Sequence, residues 1–557
     1  MRFLRARAST AMAPPSATLR RQLASLLVVR CSGHGRDGQR RYPRWELRNA
    51  ELRRLLEQGV GGVILLGGSA EELRLRCEQL QGWAGQPLLL CADVEEGVGQ
   101  RFEGASWLVP PLALGRLHGT DPQRAERLAE RYGRCTGRQA RLLGLNWVLG
   151  PVCDVNNNPA NPVINVRAWG DTVPAAAALA SAFVRGCQGE GVLACAKHFP
   201  GHGDTSTDSH LALPVIPHGR ERLAAVELPP FQAAIAAGVA SVMTAHLQLP
   251  ALDPERPATL SEPVLTGLLR RQLGFEGLVV TDALVMEAIS TAYGPAEAAE
   301  LAFRAGADLI LMPADAEAAL DGLERAVQAG RISPERLQAS LERRRRALAQ
   351  CQAPAQAPAP PGDTPMAALL AQLEQLVSPQ EQQLGAELLA LSLEHSGGAT
   401  LPPGPGVNLI RLDSQLNSPQ LPARAPALLR PAAAGYGARL LDGHSPSPWS
   451  GDPGAPLALE RLGDGPVLLQ LLVRGNPFRG SAGGDEPWPA VVQQLLACGR
   501  LAALAVYGSP YLWQALRPLL PPQLPAAYSP GQMPEAQALV LQRLGLEANA
   551  LEGGFTD

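Results

Sequence analysis

Lysine is all but missing from this chain. Of its 49 basic residues only Lys197 is lysine, so the remaining 48 are arginine. On a solvated surface the two exchange freely, and a drift toward arginine can run there unopposed. A confined site that needs a compact ammonium rather than a planar five-donor fork resists the exchange. Other absences narrow the class. The nine cysteines, at 31, 77, 91, 135, 153, 187, 195, 351 and 498, include no C-x-x-C pair. Several lie in apolar runs such as L-A-C-A and read as small buried hydrophobes in a reducing compartment, not as a disulfide framework. No stretch reaches the roughly 18 consecutive apolar residues of a membrane-spanning helix. The first residues, M-R-F-L-R-A-R-A-S-T-A-M, are basic but lack the apolar run of about 7–15 residues that a secretory signal carries. The expected location is cytoplasmic. Net charge is −3, with arginines scattered apart from the run at 343–346, so no nucleic-acid partner is expected.

What is present suggests two units. At 557 residues the chain exceeds the span of one hydrophobic core. The seam is Q-A-P-A-Q-A-P-A-P-P-G-D-T-P at 352–365, where alternating Ala and Pro favours an extended spacer. It separates a short tail (1–20) and a first unit (21–351) from a second unit (366–557). The first unit alternates apolar runs at 26–29, 62–66, 87–92, 146–149, 192–196, 241–245, 278–281 and 308–312 with amphipathic stretches at 121–142, 172–189, 220–237 and 294–305. Apolar strands separated by helices imply a parallel sheet covered on both faces. Eight repeats fit a closed (β/α)₈ barrel, with a doubly wound open sheet as the alternative. The second unit repeats the alternation more weakly and reads as a smaller α/β sandwich-like domain.

Polar residues cluster just after the apolar runs: Asp93, Asp154, Lys197 with His198, His246 and Asp282. In a barrel such positions converge on one mouth. The segment F-P-G-H-G-D-T-S-T-D-S-H (199–210) is glycine-rich, lacks periodicity and is expected as a mobile loop. Asp208 and His210 are two apart, so an extended backbone points both to one side. A carboxylate beside imidazole fixes its tautomer and raises its basicity, which makes a proton-transfer dyad; an Asx-type turn with a solvated histidine is the bland alternative. Asp282 could attack an electrophilic carbon, or merely cap the helix expected over A-L-V-M-E-A. Asp93 carries the same ambiguity, with Glu95 and Glu96 as rivals. His198, His202, Asp204, Asp208 and His210 could together hold Zn²⁺, although Lys197 beside them opposes a dication.

The run K-H-F-P-G-H-G-D-T-S-T-D-S-H-L-A-L-P (197–214) closely resembles the signature of family 3 glycoside hydrolases in their β-N-acetylglucosaminidase branch. Further segments agree in order and spacing: A-D-V-E-E-G-V-G-Q-R-F (92–102), G-P-V-C-D-V-N (150–156), V-I-N-V-R-A-W-G-D (163–171) and G-L-V-V-T-D-A-L-V-M (277–286). The resemblance spans about residues 20–350. The second unit is more loosely similar to the sandwich domain of two-domain members.

The resemblance implies Asp282 as catalytic nucleophile, His210 as general acid/base and Asp208 as its orienting partner. It implies Asp93, Arg101, Arg167, Lys197 and His198 as the residues binding a terminal N-acetylglucosamine, with no metal and no cofactor. Its substrates would be N-acetylglucosamine-containing saccharides or muropeptides of cell-wall recycling. A neutral imidazole base leaves phosphorolysis open as a variant, because it would not repel phosphate. The pattern also departs from the family: D-x-E-G-G-R is usual after strand three, whereas here Asp93 is followed by V-E-E-G-V. That departure leaves a sugar-binding protein without turnover as a further alternative.

Overall fold

The computed structural model describes residues 15–209, 212–351, 373–398, 400–412, 421–442, 447–474 and 486–548. The expected spacer at 352–365 and most of the expected tail lie outside them. The first unit contains eight short strands: β1 (Leu27–Ser32), β2 (Gly62–Leu66), β3 (Leu89–Ala92), β4 (Trp147–Val148), β5 (Leu193–Phe199), β6 (Ser241–Thr244), β7 (Leu278–Val280) and β8 (Ile310–Leu311). Each falls on one of the eight apolar runs. They pair in the order β7-β6-β5-β4-β3-β2-β1-β8, and a parallel bridge between Val280 and Leu309 joins the two ends of that order. The result is a ring rather than an open sheet. Strands sandwiched between a filled interior and outer helices must be apolar on both faces. In β5 all seven residues are buried, Lys197 and His198 among them.

Helices Pro122–Leu142, Val173–Gln188 and Pro295–Ala305 follow the amphipathic stretches. Asp121 starts the first of these by accepting a hydrogen bond from the Arg124 N–H, which satisfies an otherwise unpaired donor of the first turn. The helix expected over 220–237 is broken instead. It comprises a single turn, Arg220–Arg222, a π-helical turn, Leu223–Glu227, and a helix, Pro229–Ala236. Pro229 and Pro230 lack the N–H groups that a continuous ladder needs, so a new helix starts there. Seven cysteines of the first unit are buried, consistent with a packing role.

The second unit is a six-stranded sheet of β9 (Glu394–Ser396), β10 (Gly406–Arg411), β11 (Tyr436–Leu441), β12 (Val467–Val473), β13 (Leu501–Gly508) and β14 (Ala526–Ser529). Its order is β11-β10-β12-β13-β14-β9, with β9 alone antiparallel. Alternation along the strands feeds two cores. Leu409, Leu469, Leu471 and Val506 pack with Trp488, Val491 and Trp513, while Ile410, Leu468, Leu472 and Ala505 pack with Val540, Leu541 and Leu544. Both faces are therefore covered by helices, as in an α/β sandwich.

The preceding helix, Pro379–Ser392, belongs by contact to the barrel. Its Leu384 and Leu388 join the barrel core, and Arg124 and Arg131 both reach Glu387, at 3.0 and 2.9 Å. Arg138 pairs with Glu381 and also donates to the Leu376 carbonyl. These contacts anchor the segment that leads into the second unit on helix Pro122–Leu142.

Candidate active site

A cavity of about 1220 Å³ opens where the barrel strands end. Asp93, Arg101, Arg167, Lys197, His198 and Asp282 all line it, so six residues spread over 190 positions meet at one mouth. Asp208 is buried beside Ser209, which also lines the cavity. His210 lies outside the described residues.

The lysine sits at the centre of a buried charge network. Its ammonium is 2.8 Å from Asp93 Oδ1 and 2.5 Å from Glu95 Oε1. Glu95 in turn receives two parallel hydrogen bonds from Arg167, Nε at 2.7 Å and Nη2 at 2.8 Å. Asp93, Lys197, Glu95 and Arg167 thus form an alternating series whose charges cancel. Side-chain exposure is 1% for Lys197 and 4% for Glu95 but 37% for Asp93. The Lys197–Glu95 contact is therefore the less screened of the two.

Burial disfavours the Lys197 ammonium, yet Asp93 and Glu95 outweigh it and hold its pKa above the ordinary lysine value. Burial likewise disfavours the Glu95 carboxylate, but Arg167 and Lys197 keep it well below the usual range. Lys197 and Glu95 therefore stay ionised, and the network offers donors and acceptors that suit sugar hydroxyls. Arg101 completes this wall, its Nε donating to the Asp93 carbonyl at 3.0 Å.

Glu95 carries more of this arrangement than its standing as a rival to Asp93 implied. The D-x-E spacing was the available signal, since residues two apart on extended backbone face the same way. The neighbouring Glu96 turns elsewhere. Its Oε2 accepts from Trp107 Nε1 at 3.0 Å, and its Oε1 meets Arg474 Nη2 of the second unit at 2.5 Å. The departing loop still keeps Gly97, at φ +78°, where a Cβ would stand 2.5 Å from the Ser106 carbonyl oxygen.

On the other side of Lys197, Asp154 is fully buried. It accepts from the His202 N–H at 2.7 Å and from His198 Nδ1 at 2.8 Å. Burial opposes its charge, but His198 and His202 overcome that and hold its pKa below the aspartate norm. With Nδ1 fixed by Asp154, Nε2 is the His198 ring nitrogen left for the cavity.

The described part of the loop expected to be mobile is tied down. Asn161 donates to the carbonyls of His202 and Gly203, while His202 binds Thr205 through Nδ1 and Ser209 through Nε2. Both nitrogens of His202 are thus engaged, and Asp204 faces His218 at 2.8 Å. Among the described residues no three His, Cys, Asp or Glu side chains gather as a ligand set. Burial pushes the His202 pKa down to about 4. An unfolded histidine takes up its proton near 6.5, so falling pH favours unfolding across that window. Stability is expected to drop by about 3 kcal/mol between pH 6.5 and 4 from this group. Thermal unfolding against pH should be correspondingly flatter in His202→Gln; equal slopes contradict the assignment.

Asp282 follows β7 directly. It is no helix cap: the next helix, Glu287–Ser290, starts five residues on, and the Asp282 carboxylate instead accepts from the adjacent Ala283 N–H at 2.7 Å. Buried His246 holds the same turn from below, through Nε2 to the Ala283 carbonyl at 3.1 Å and Nδ1 to Thr259 Oγ1 at 2.8 Å. A carboxylate on a braced turn at the mouth of this cavity can act as a nucleophile.

A family model described as Glycosyl hydrolase family 3 N terminal domain matches residues 18–347, and one described as Bacterial Glycosyl hydrolase family 3 C-terminal domain matches residues 404–545. Beta-hexosaminidase A from Pseudoalteromonas piscicida is 37% identical over 286 residues, 47% of this chain and 47% of the relative. The match thus spans about half the length of that relative. Among solved structures, a glycoside hydrolase family 3 beta-N-acetylglucosaminidase from Paenibacillus sp. str. FPU-7 superposes with a TM-score of 0.73 at 31% identity, covering 95% of this chain and 97% of that one. NagZ from Neisseria gonorrhoeae, solved in complex with N-trifluoroacetyl-D-glucosamine, gives a TM-score of 0.52 at 28% identity over 65% of this chain and 97% of that one.

Proposed function

This chain belongs to glycosyl hydrolase family 3, and we propose that it is a retaining β-N-acetylglucosaminidase acting on non-reducing terminal β-linked N-acetylglucosamine. The observation that carries the reading is the single cavity in which Asp93, Arg101, Arg167, Lys197 and His198 meet Asp282. N-acetylglucosamine is preferred over glucose because two similar proteins are named a beta-hexosaminidase and a beta-N-acetylglucosaminidase, and a third holds an N-acylated glucosamine.

In this mechanism the charged wall binds the terminal sugar and Asp282 attacks its anomeric carbon. An oxocarbenium-like transition state leads to a covalent glycosyl-aspartate. His210, oriented by Asp208, protonates the leaving oxygen. As a neutral imidazole it then takes a proton from the water that releases the sugar. The anion of Asp282 stabilises the positive charge developing at C1, while the zero-sum network around Lys197 adds no repulsion to it. Cell-wall-derived fragments are the setting the family resemblance favours. No helix among the described residues is long and apolar enough to cross a membrane.

The test is release of 4-nitrophenol from the aryl β-N-acetylglucosaminide and from the aryl β-glucoside, each with and without chelator and phosphate. The expected outcome is faster turnover of the N-acetylglucosaminide, unaffected by chelator, with free sugar as product. Preference for glucose, loss to chelator, or a sugar 1-phosphate product would each overturn the reading.

A further inference from the structure

We propose that Arg30 binds an oxyanion, a phosphate or a carboxylate, carried on C6 of the terminal sugar, away from the bond that is cut. The proposal rests on the glycosidase reading above and deepens it by naming a substituent of the substrate.

Strand β1, L-V-V-R-C-S, carries an arginine among otherwise buried apolar and small residues. Charged side chains are rare at such positions unless they are paired. Arg30 is 17% exposed and lines the same cavity as Lys197 and Asp282. Its ion-pair partner, Glu46 Oε1, stands 4.0 Å from Nη2, beyond hydrogen-bond reach, and that oxygen has no hydrogen bond among the described residues. The guanidinium is held instead by rings, with its carbon 5.3 Å from the centre of Tyr42 and 5.9 Å from that of Trp45. Aromatic faces steady a guanidinium without using its N–H donors. Burial lowers the Arg30 pKa, and Glu46 and Asp93 offset this only in part. The cation is thus short of negative charge, which a substrate oxyanion would supply through paired hydrogen bonds.

The surroundings agree in sign. Arg44, 5.8 Å over the Trp45 ring, and Arg101 line the same cavity. Of the carboxylates lining it nearby, Asp93 is shared with Lys197 and Glu72 is paired with His34 at 2.8 Å. Even with Glu46 and Glu103 counted, three arginines leave this side positive. Ring geometry places the substituent. Strands β3 and β7 stand opposite each other, and β1 lies two strands from each. A sugar whose C1 meets Asp282 after β7 turns its other end toward Asp93 after β3. Arg30 feels the charges of Asp93 and Arg101, which sets it at that other end. There C6 is the exocyclic arm that reaches beyond the ring.

The experiment compares four substrates: 4-nitrophenyl N-acetyl-β-glucosaminide, its 6-phosphate, its 6-O-carboxymethyl ether, and the 3-carboxy-4-nitrophenyl glycoside of the unmodified sugar. Wild-type protein should cleave at least one 6-anion with about tenfold higher kcat/KM than the neutral substrate, the size of one charge-assisted hydrogen bond. Which of the two gains more identifies the oxyanion. Arg30→Met should lose about 10- to 100-fold more kcat/KM on that 6-anion than on the neutral substrate. Because Arg30→Met also strands the buried Glu46 carboxylate, the double variant Glu46→Gln/Arg30→Met is measured alongside. It should regain thermal stability while keeping the selective loss. No wild-type gain for either 6-anion, a parallel loss on all substrates in the variants, or a larger gain for the carboxylate on the leaving group overturns the site. The wild-type comparison decides even where a variant fails to fold. Release of no nitrophenol from any of the four overturns the glycosidase reading itself, and the site with it.

Discussion

Asp282→Gly is expected to cut turnover of an aryl β-N-acetylglucosaminide by about 10⁴-fold or more, the scale seen when a covalent nucleophile is removed. The loss should fall on the chemistry and leave the fold in place. Asp282 is only partly buried, and its turn is held independently by His246 through the Ala283 carbonyl. Glycine leaves a gap the size of a carboxylate on one face of the sugar. Azide can enter that gap and should restore cleavage of substrates with good leaving groups, giving the α-glycosyl azide. Activity within tenfold of wild type, or a β-azide product, would move the nucleophile elsewhere.

The second large effect concerns the lone lysine. Lys197→Met removes the ammonium that Asp93 and Glu95 share. Asp93 is half open to water and can be resolvated. Glu95 is buried and keeps only Arg167. Breaking one side of a buried ion network costs about 3 kcal/mol or more, which urea unfolding would read. If the same network binds the sugar as proposed, kcat/KM should fall by about 10³-fold, the loss of one or two charge-assisted contacts together with their alignment. Lys197→Arg preserves charge but not shape. The ammonium occupies a closed gap between two carboxylates, and a guanidinium there must displace Glu95, already bound in two places by Arg167. A loss of about 10²-fold is expected. Near-normal kcat/KM in Lys197→Arg would mean that lysine survives at this position by chance.

The barrel could be read from the chain because its signal is local. Runs such as L-L-L-C-A (88–92) and V-L-A-C-A (192–196) are apolar on both faces, as a strand between interior and helices must be, and a charged residue marks where each meets the mouth. The structure shortens two of these runs, at 146–149 and 308–312, to the two-residue strands Trp147–Val148 and Ile310–Leu311. The break at Pro229–Pro230 was equally local and visible in the residues themselves. The site was readable only where spacing and barrel geometry coincide: Asp93, Lys197 and Asp282 are strand-end residues. The pairings were not, because an ion pair between Arg167 and Glu95, 72 positions apart, or between Arg474 and Glu96, 378 apart, has no signature in any window of sequence. For the same reason Asp154 showed as a strand-end carboxylate but not as the group that orients His198. One glycine of the loop at 199–209 has a packing reason that the sequence did not show: Gly203 lies so close to Val155 that a Cβ would stand 1.8 Å from its carbonyl oxygen.

The most direct test of covalent catalysis from β7 is to trap the intermediate. The protein is incubated briefly with a 5-fluoro-β-N-acetylglucosaminyl fluoride, quenched, digested and mapped by mass spectrometry. The account predicts one equivalent of the fluorosugar ester on the peptide carrying Asp282. An ester on Asp93, Glu95 or Asp208, or turnover of the reagent with no peptide labelled, would contradict it.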